Sequence, residues 1–263
     1  MTLLQANQIF KTATLLFAFL HLTFVAFSQG KDTTQHTLNF RGSVSVTNNG
    51  FSFIPSFSLG KPAAIVTLSA GGKRFSFEPE FRYSLEGKPW SFIFIWRYKL
   101  LRGDKFQFTV GTHLPALNFR TISVVKDGPT QDVIQAQRFF PVMELAPAFT
   151  VSKSVSVGMF YLYGRGAREV AAKNTHFLSL KAHFSNIPLY KKWYFRFSPQ
   201  VFYLAQDDKD GFYGAAGLTL ARRDFPLALS TLMSKPVRTG ISGKDFDWNI
   251  SLVYSFDKKY VRQ

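Results

Sequence analysis

Residues 246–256 (FDWNISLVYSF) alternate without a break. Phe246, Trp248, Ile250, Leu252, Tyr254 and Phe256 fall on one parity, and Asp247, Asn249, Ser251, Val253 and Ser255 on the other. A period of two over this length defines a strand with one aromatic-capped apolar face and one largely polar face. A soluble sheet could bury that apolar face, and a periplasmic β-sandwich is the alternative fold. The same alternation recurs down the chain, however, with aromatics near the strand ends and an export signal in front. The combination predicts an all-β fold: a transmembrane, antiparallel, up-and-down β-barrel with its apolar band turned outward to lipid.

The N-terminus sets the compartment. Lys11 is the only charge before Lys31, residues 12–27 are nearly all apolar, and Ala26-Phe27-Ser28 supplies small residues for a cut before Gln29. That is the layout of a secretory signal peptide over residues 1–28, cleaved near Ser28/Gln29, and the apolar run is short for a membrane anchor. After Gln29 the apolar runs are short and interrupted by charged or small residues, so no later segment reads as a spanning helix. The chain has no cysteine, which excludes disulfides, a lipobox and thiolate metal sites.

The 263 residues carry 32 Lys and Arg against 16 Asp and Glu, for a net charge of +16. In an exported barrel this balance points to outer-membrane lipid and lipopolysaccharide phosphates, or to anionic solutes in a lumen, rather than to nucleic acid. Other outer-membrane or surface proteins are further candidate partners.

Turn signals divide the chain into candidate strands at 51–59, 63–70, 75–85, 90–100, 105–114, 137–150, 155–165, 176–186, 193–204, 212–222, 226–234 and 246–256. This predicts about twelve strands, with ten or fourteen as alternatives. Short connections alternate with longer or more highly charged ones, of which residues 114–136 are the longest. FSFIPSF at 51–57 and FSFEPEF at 75–81 each lead to a Gly-Lys-Pro, so two similar hairpins would put both Gly-Lys-Pro turns on one rim. Residues 37–47 also alternate and end in Asn48-Asn49-Gly50, a hairpin signal. The division adopted is an N-terminal segment 29–50, holding an extra luminal or periplasmic strand, then a barrel over 51–256 and a tail over 257–263. The other resolution makes 37–47 the first strand and 48–62 an extracellular loop.

Alternation then assigns faces. Phe75, Phe77, Phe81, Trp90, Phe92, Phe94, Trp96, Trp193, Phe195, Trp248, Tyr254 and Phe256 are predicted to face lipid. Glu78, Glu80, Arg82, Arg97, Lys99, Arg138, Glu144, Lys181, His183, Arg196 and Asp247 are predicted to line the lumen. A charge on the lipid face costs about 2–4 kcal/mol at mid-depth, so this segregation is what a membrane barrel requires. Phe140, Phe160, Leu162 and Phe202 also fall on the inward parity, which predicts a partly packed interior.

One string carries catalytic-looking chemistry. His183-Phe184-Ser185-Asn186 resembles the His-x-Ser-Asn element of outer-membrane phospholipase A and lipid A deacylases. Residues two apart on a strand share a face, so a histidine base can reach a serine nucleophile. The resemblance implies an acyl-ester hydrolase using His183 and Ser185. The chain departs from it at Ile187, in the lack of a nearby third member, and in the inward parity of the pair. Arg102-Gly103-Asp104 falls in a tight turn, and Asp207-Asp208-Lys209-Asp210-Gly211 lacks the later ligands of a calcium loop. No metal site or cofactor is predicted.

Over 51–256 the pattern resembles the small outer-membrane β-barrel proteins common in Bacteroidota, whose signal peptides often end Phe-Ser before Gln, as residues 27–29 do. A porin-like, narrow, anion-biased passive channel and a closed structural or accessory barrel of a surface complex are the two leading functions. The hydrolase is the alternative.

Overall fold

The alternating segments pair with their neighbours in sequence, and the ends of the series pair with each other. The computed structural model describes residues 37–125, 130–170 and 172–261; the signal peptide and residues 29–36 lie outside them. The strands are β1 (Thr37–Thr47), β2 (Ala63–Gly71), β3 (Phe75–Ser84), β4 (Pro89–Arg102), β5 (Phe106–Val125) and β6 (Thr130–Ser152). They continue as β7 (Val155–Gly166), β8 (Asn174–Tyr190), β9 (Trp193–Gln206), β10 (Lys209–Arg222), β11 (Leu227–Thr239) and β12 (Asp247–Val261). All pairs are antiparallel, and β1 against β12 closes a twelve-strand barrel. Closure leaves no unpaired sheet edge, the condition for a sheet to cross lipid.

Two boundaries differ from the sequence division. Thr37–Thr47 is a wall strand, in register with β12 from Thr37↔Val261 to Thr47↔Ser251 and with β2 from Asn39↔Gly71 to Thr47↔Ala63. The 51–59 segment is instead part of the β1–β2 loop, with a single 3-10 turn at Pro55–Phe57. Its aromatic alternation serves a different surface: Phe53 and Phe57 pack inside the barrel. The predicted tail is likewise wall, because β12 runs past Phe256 and pairs Asp257 with Arg41 and Tyr260 with Leu38. The long connection predicted over 114–136 is mostly sheet. β5 and β6 stay in register from Ala116↔Phe139 to Val125↔Thr130, and Ser123 Oγ donates to Asp132 Oδ1 at 2.7 Å.

The turns β2–β3, β4–β5, β6–β7, β8–β9 and β10–β11 lie on one rim, with both termini of the barrel. The β1–β2, β3–β4, β5–β6, β7–β8, β9–β10 and β11–β12 connections lie on the other. Both Gly-Lys-Pro turns are on this second rim, with Gly60 and Gly87 at positive φ (71° and 80°), a conformation cheap only for glycine. Leu85 N–H donates to the Pro62 carbonyl at 3.1 Å, and Lys61 Nζ lies 3.6 Å from Glu86, so the two turns brace each other.

The outer face is apolar and aromatic. Phe75, Trp96, Trp193, Trp248, Ile250, Leu252 and Tyr254 are all exposed. Rings pack across strands there, tilted between Phe77 and Trp96 (centroids 4.3 Å apart) and edge-to-face between Phe81 and Phe92 (5.6 Å). Such cross-strand aromatic pairs add stability beyond area burial.

Candidate functional site

The lumen is where charge concentrates. On β3 the residues Ser76, Glu78, Glu80 and Arg82 share one face, and register aligns Ser76 with Arg97 on β4, Arg97 with Gly111 on β5, and Gly111 with Glu144 on β6. Arg97 therefore reaches across the strands: its guanidinium pairs with Glu78 and, through Nε and Nη2, with both oxygens of Glu144. His113 Nε2 lies 2.9 Å from Glu144 Oε2, and Ser76 Oγ donates to Glu78 Oε1 at 2.8 Å. Arg82 pairs with Glu80 on its own strand. Glu144 is 1 % exposed, and a carboxylate so enclosed persists only when paired in this way. Gly111 makes room for it: a Cβ there would stand 2.7 Å from Glu144 Oε1 and 2.9 Å from the Trp96 carbonyl oxygen.

The loop of residues 48–62 folds into the barrel opposite this wall. Gly50 N–H donates to the Lys61 carbonyl and Leu59 N–H to the Gly50 carbonyl, both at 2.7 Å, which close the base of the loop. Asn49 Nδ2 donates to Asp247 Oδ1 at 2.8 Å and tethers that base to β12. At the tip, Phe53 packs on Phe202 (5.2 Å) and Phe177 (6.2 Å), and Phe57 on Phe139 (4.7 Å). Three polar contacts fix it further: Trp90 Nε1 donates to the Phe57 carbonyl (2.7 Å), Arg120 Nη2 to the Ser56 carbonyl (2.7 Å), and Gln206 Nε2 to Ser56 Oγ (3.2 Å). Between loop and wall lies a cavity of about 280 Å³. One side of it is ionic (Glu80, Arg82, Arg97, His113, Glu144), and the other is apolar (Phe139, Val142, Phe160, Leu162, Phe177) beneath Phe53, Ile54 and Phe57.

The inward cations outside this network have a different status. Glu78, Glu80, Glu144 and Asp247 are each in an ion pair, whereas Arg41, Lys99, Lys181 and Arg196 have no acidic partner among the described residues. Arg196 instead lies over the Tyr194 ring at 5.6 Å and donates to its hydroxyl at 3.2 Å. Lys181 and His183 sit with Phe160, Phe177 and Gln200 around a second lumen cavity of about 420 Å³.

Four sequence assignments change. Trp90 is not on the outer face but 2 % exposed under the loop, because a register shift between Arg82 and Tyr83 breaks the parity at the start of β4. A second shift, between Phe139 and Val142, turns Phe139 inward (7 % exposed) and Phe140 outward (65 %). Arg138 goes with it: its side chain is 71 % exposed and pairs with Glu169 of the β7–β8 loop at 3.0 Å. His183 and Ser185 do not form a pair. His183 Nδ1 bonds Ser198 Oγ at 2.7 Å, and Ser185 N–H donates to the Ser154 carbonyl at 2.8 Å. The cause is a register shift between Phe184 and Ile187 around Asn186, whose φ is 55°. Asp207, from the calcium-like string, accepts from the backbone N–H groups of Lys173 and Asn174, and Asp210 from the Tyr203 hydroxyl. His113 and the loop itself were not among the predicted site residues; only their neighbours were.

Fold and lumen together define the class: a closed, twelve-strand antiparallel barrel of the outer-membrane porin type, apolar outside and charged within. Among solved structures, a KdgM porin in complex with disordered oligogalacturonate superposes with a TM-score of 0.51 at 10% identity, over 84% of this chain and 99% of that one. A NanC porin gives 0.42 at 14% identity over 86% and 100%, and OmpT, an outer membrane protein of Vibrio cholerae, gives 0.40 at 8% over 87% and 100%. No family model and no curated protein matches the sequence. At these identities the likeness is one of fold.

Proposed function

We infer that the chain is an exported outer-membrane barrel acting as a narrow, anion-biased passive channel, constricted by the loop of residues 48–62 at the extracellular rim. The observation that carries this reading is the unequal pairing of luminal charge. Four inward acids, Glu78, Glu80, Glu144 and Asp247, are tied up in ion pairs and, among the described residues, only Asp257, opposite Arg41, is not, while Arg41, Lys99, Lys181 and Arg196 are left to act on a solute. Unpaired fixed cations in a low-dielectric-walled passage favour anions. The orientation follows from the short turns and termini sharing one rim, which in barrels of this class faces the periplasm. The apolar packing of Phe53 and Phe57 is the observation that favours the second reading, a closed barrel serving as a structural or accessory subunit.

Purified protein in planar bilayers under a potassium chloride gradient separates the two. The channel reading expects single-channel steps and a reversal potential displaced toward chloride. The neighbour holding oligogalacturonate suggests a linear acidic sugar as the first larger anion to test for current block. An absence of steps supports the closed barrel, and a cation-selective reversal potential overturns the anion bias.

A further inference from the structure

The five short turns together hold seven basic residues and two acids, whereas the six connections on the opposite rim hold six of each. Every short turn has at least one base, represented by Lys73, Lys105, Lys153, Lys191 and Arg223. Tight turns call for Gly, Asn, Asp or Ser, so turn chemistry does not account for a cation in each. Ion pairing does not either. Of the seven bases, only Lys192 is in a salt bridge among the described residues, at 2.9 Å from Asp224.

What the cations adjoin is aromatic. Exposed Phe75, Phe106, Tyr190, Trp193 and Phe225 lie within or directly beside four of the five turns. Such a girdle marks the headgroup level of a bilayer, where amphipathic rings are most stable. Cations one or two residues further out stand at the level of the phosphates. Lys191 Nζ lies 5.0 Å over the Tyr190 ring, at that boundary.

We propose that the short-turn rim is a collar that binds the phosphates of anionic phospholipids in the adjoining leaflet. The balanced charge of the opposite rim gives no such field, so the preference belongs to one leaflet. The proposal rests on the reading of the barrel as membrane-spanning, and not on its conducting anything. Each cation near an anionic bilayer surface strengthens attachment by about fivefold.

The test is native mass spectrometry of the full barrel released from nanodiscs of phosphatidylcholine alone, with added phosphatidylglycerol, or with added lipid A. The wild-type protein is expected to retain phosphatidylglycerol over phosphatidylcholine. Glutamine at Lys73, Lys105, Lys153, Lys191 and Arg223 lowers that preference at least about tenfold. Glutamine at Lys61, Lys88, Arg168 and Lys244 on the other rim leaves it unchanged. If the five-site variant does not fold by heat-modifiable migration, Lys153→Gln and Lys191→Gln are compared singly, each expected to show a several-fold loss. Equal retention of the two phospholipids by the wild type, as a rim built for a soluble acidic partner would give, overturns the proposal. So does a preference that survives the short-turn substitutions, or a stronger lipid A preference that those substitutions abolish. A barrel that passes no current leaves this readout intact, so the two readings fail separately.

Discussion

The indole of Trp90 donates to the carbonyl oxygen of Phe57 at 2.7 Å, joining a wall strand to the loop that fills the barrel. Trp90 is buried and Phe57 half-buried, so the bond is partly shielded from solvent. A Cβ on Gly50 would come within 3.1 Å of the same indole, so base and tip of the loop are fitted to one side chain.

Trp90→Phe keeps most of the packing and removes the donor, losing a part-buried bond at a cost of about 0.5–1.5 kcal/mol. The loop is then less firmly seated. Single-channel recordings should show larger or noisier steps than wild type, with heat-modifiable migration retained; identical traces would mean that this bond does not hold the constriction.

Arg97→Met strands the buried Glu144 carboxylate with only His113 beside it. Breaking one side of an enclosed ion pair costs about 3–5 kcal/mol. Urea unfolding of the barrel in lipid should move to clearly lower denaturant, and Gly111→Ala should move it in the same direction by pushing on Glu144. A midpoint unchanged in both variants would show that the network contributes nothing to the wall.

Lys181→Gln combined with Arg196→Gln removes two of the unpaired inward cations without disturbing an ion pair. Under a salt gradient the reversal potential should move toward zero relative to wild type, by an amount that shrinks as salt is raised. A reversal potential independent of both residues would place the selectivity elsewhere.

Asp207 offers a pH test outside the wall. The backbone N–H groups of Lys173 and Asn174 hold its carboxyl below the usual aspartate value of 3.8. A depressed folded value means that this tie between the β7–β8 and β9–β10 connections is fully present above the unfolded value and is lost as pH falls through the folded one. Amide resonances of Lys173 and Asn174 should titrate together with a midpoint below 3.8, and Asp207→Asn should abolish the transition. A midpoint at or above that value would contradict the assignment.

Most strand positions are legible because period-two alternation responds directly to a two-sided wall. Parity counting failed where the ladder slips. One extra residue inverts every face beyond it, which is why Trp90, Arg138 and Phe140 read the wrong way. The 51–59 loop was read as wall because Phe51, Phe53 and Phe57 alternate equally well when they face a packed lumen as when they face lipid. Its companion at 37–47, with small Ser and Gly between its apolar residues, gave the weaker signal although it closes the barrel. The partners that Arg97 gathers from two other strands, Glu78 on β3 and Glu144 on β6, are not readable, since cross-barrel register is absent from local pattern.

The most direct test of a loop-constricted anion channel is the conductance of a variant whose residues 51–59 are replaced by a short Gly-Ser linker, compared with the intact chain in the same bilayers. The account predicts a several-fold larger single-channel conductance with anion preference retained, because the plug is removed and Lys99, Lys181 and Arg196 remain. Equal conductance in the two proteins, or silence in both, would contradict it.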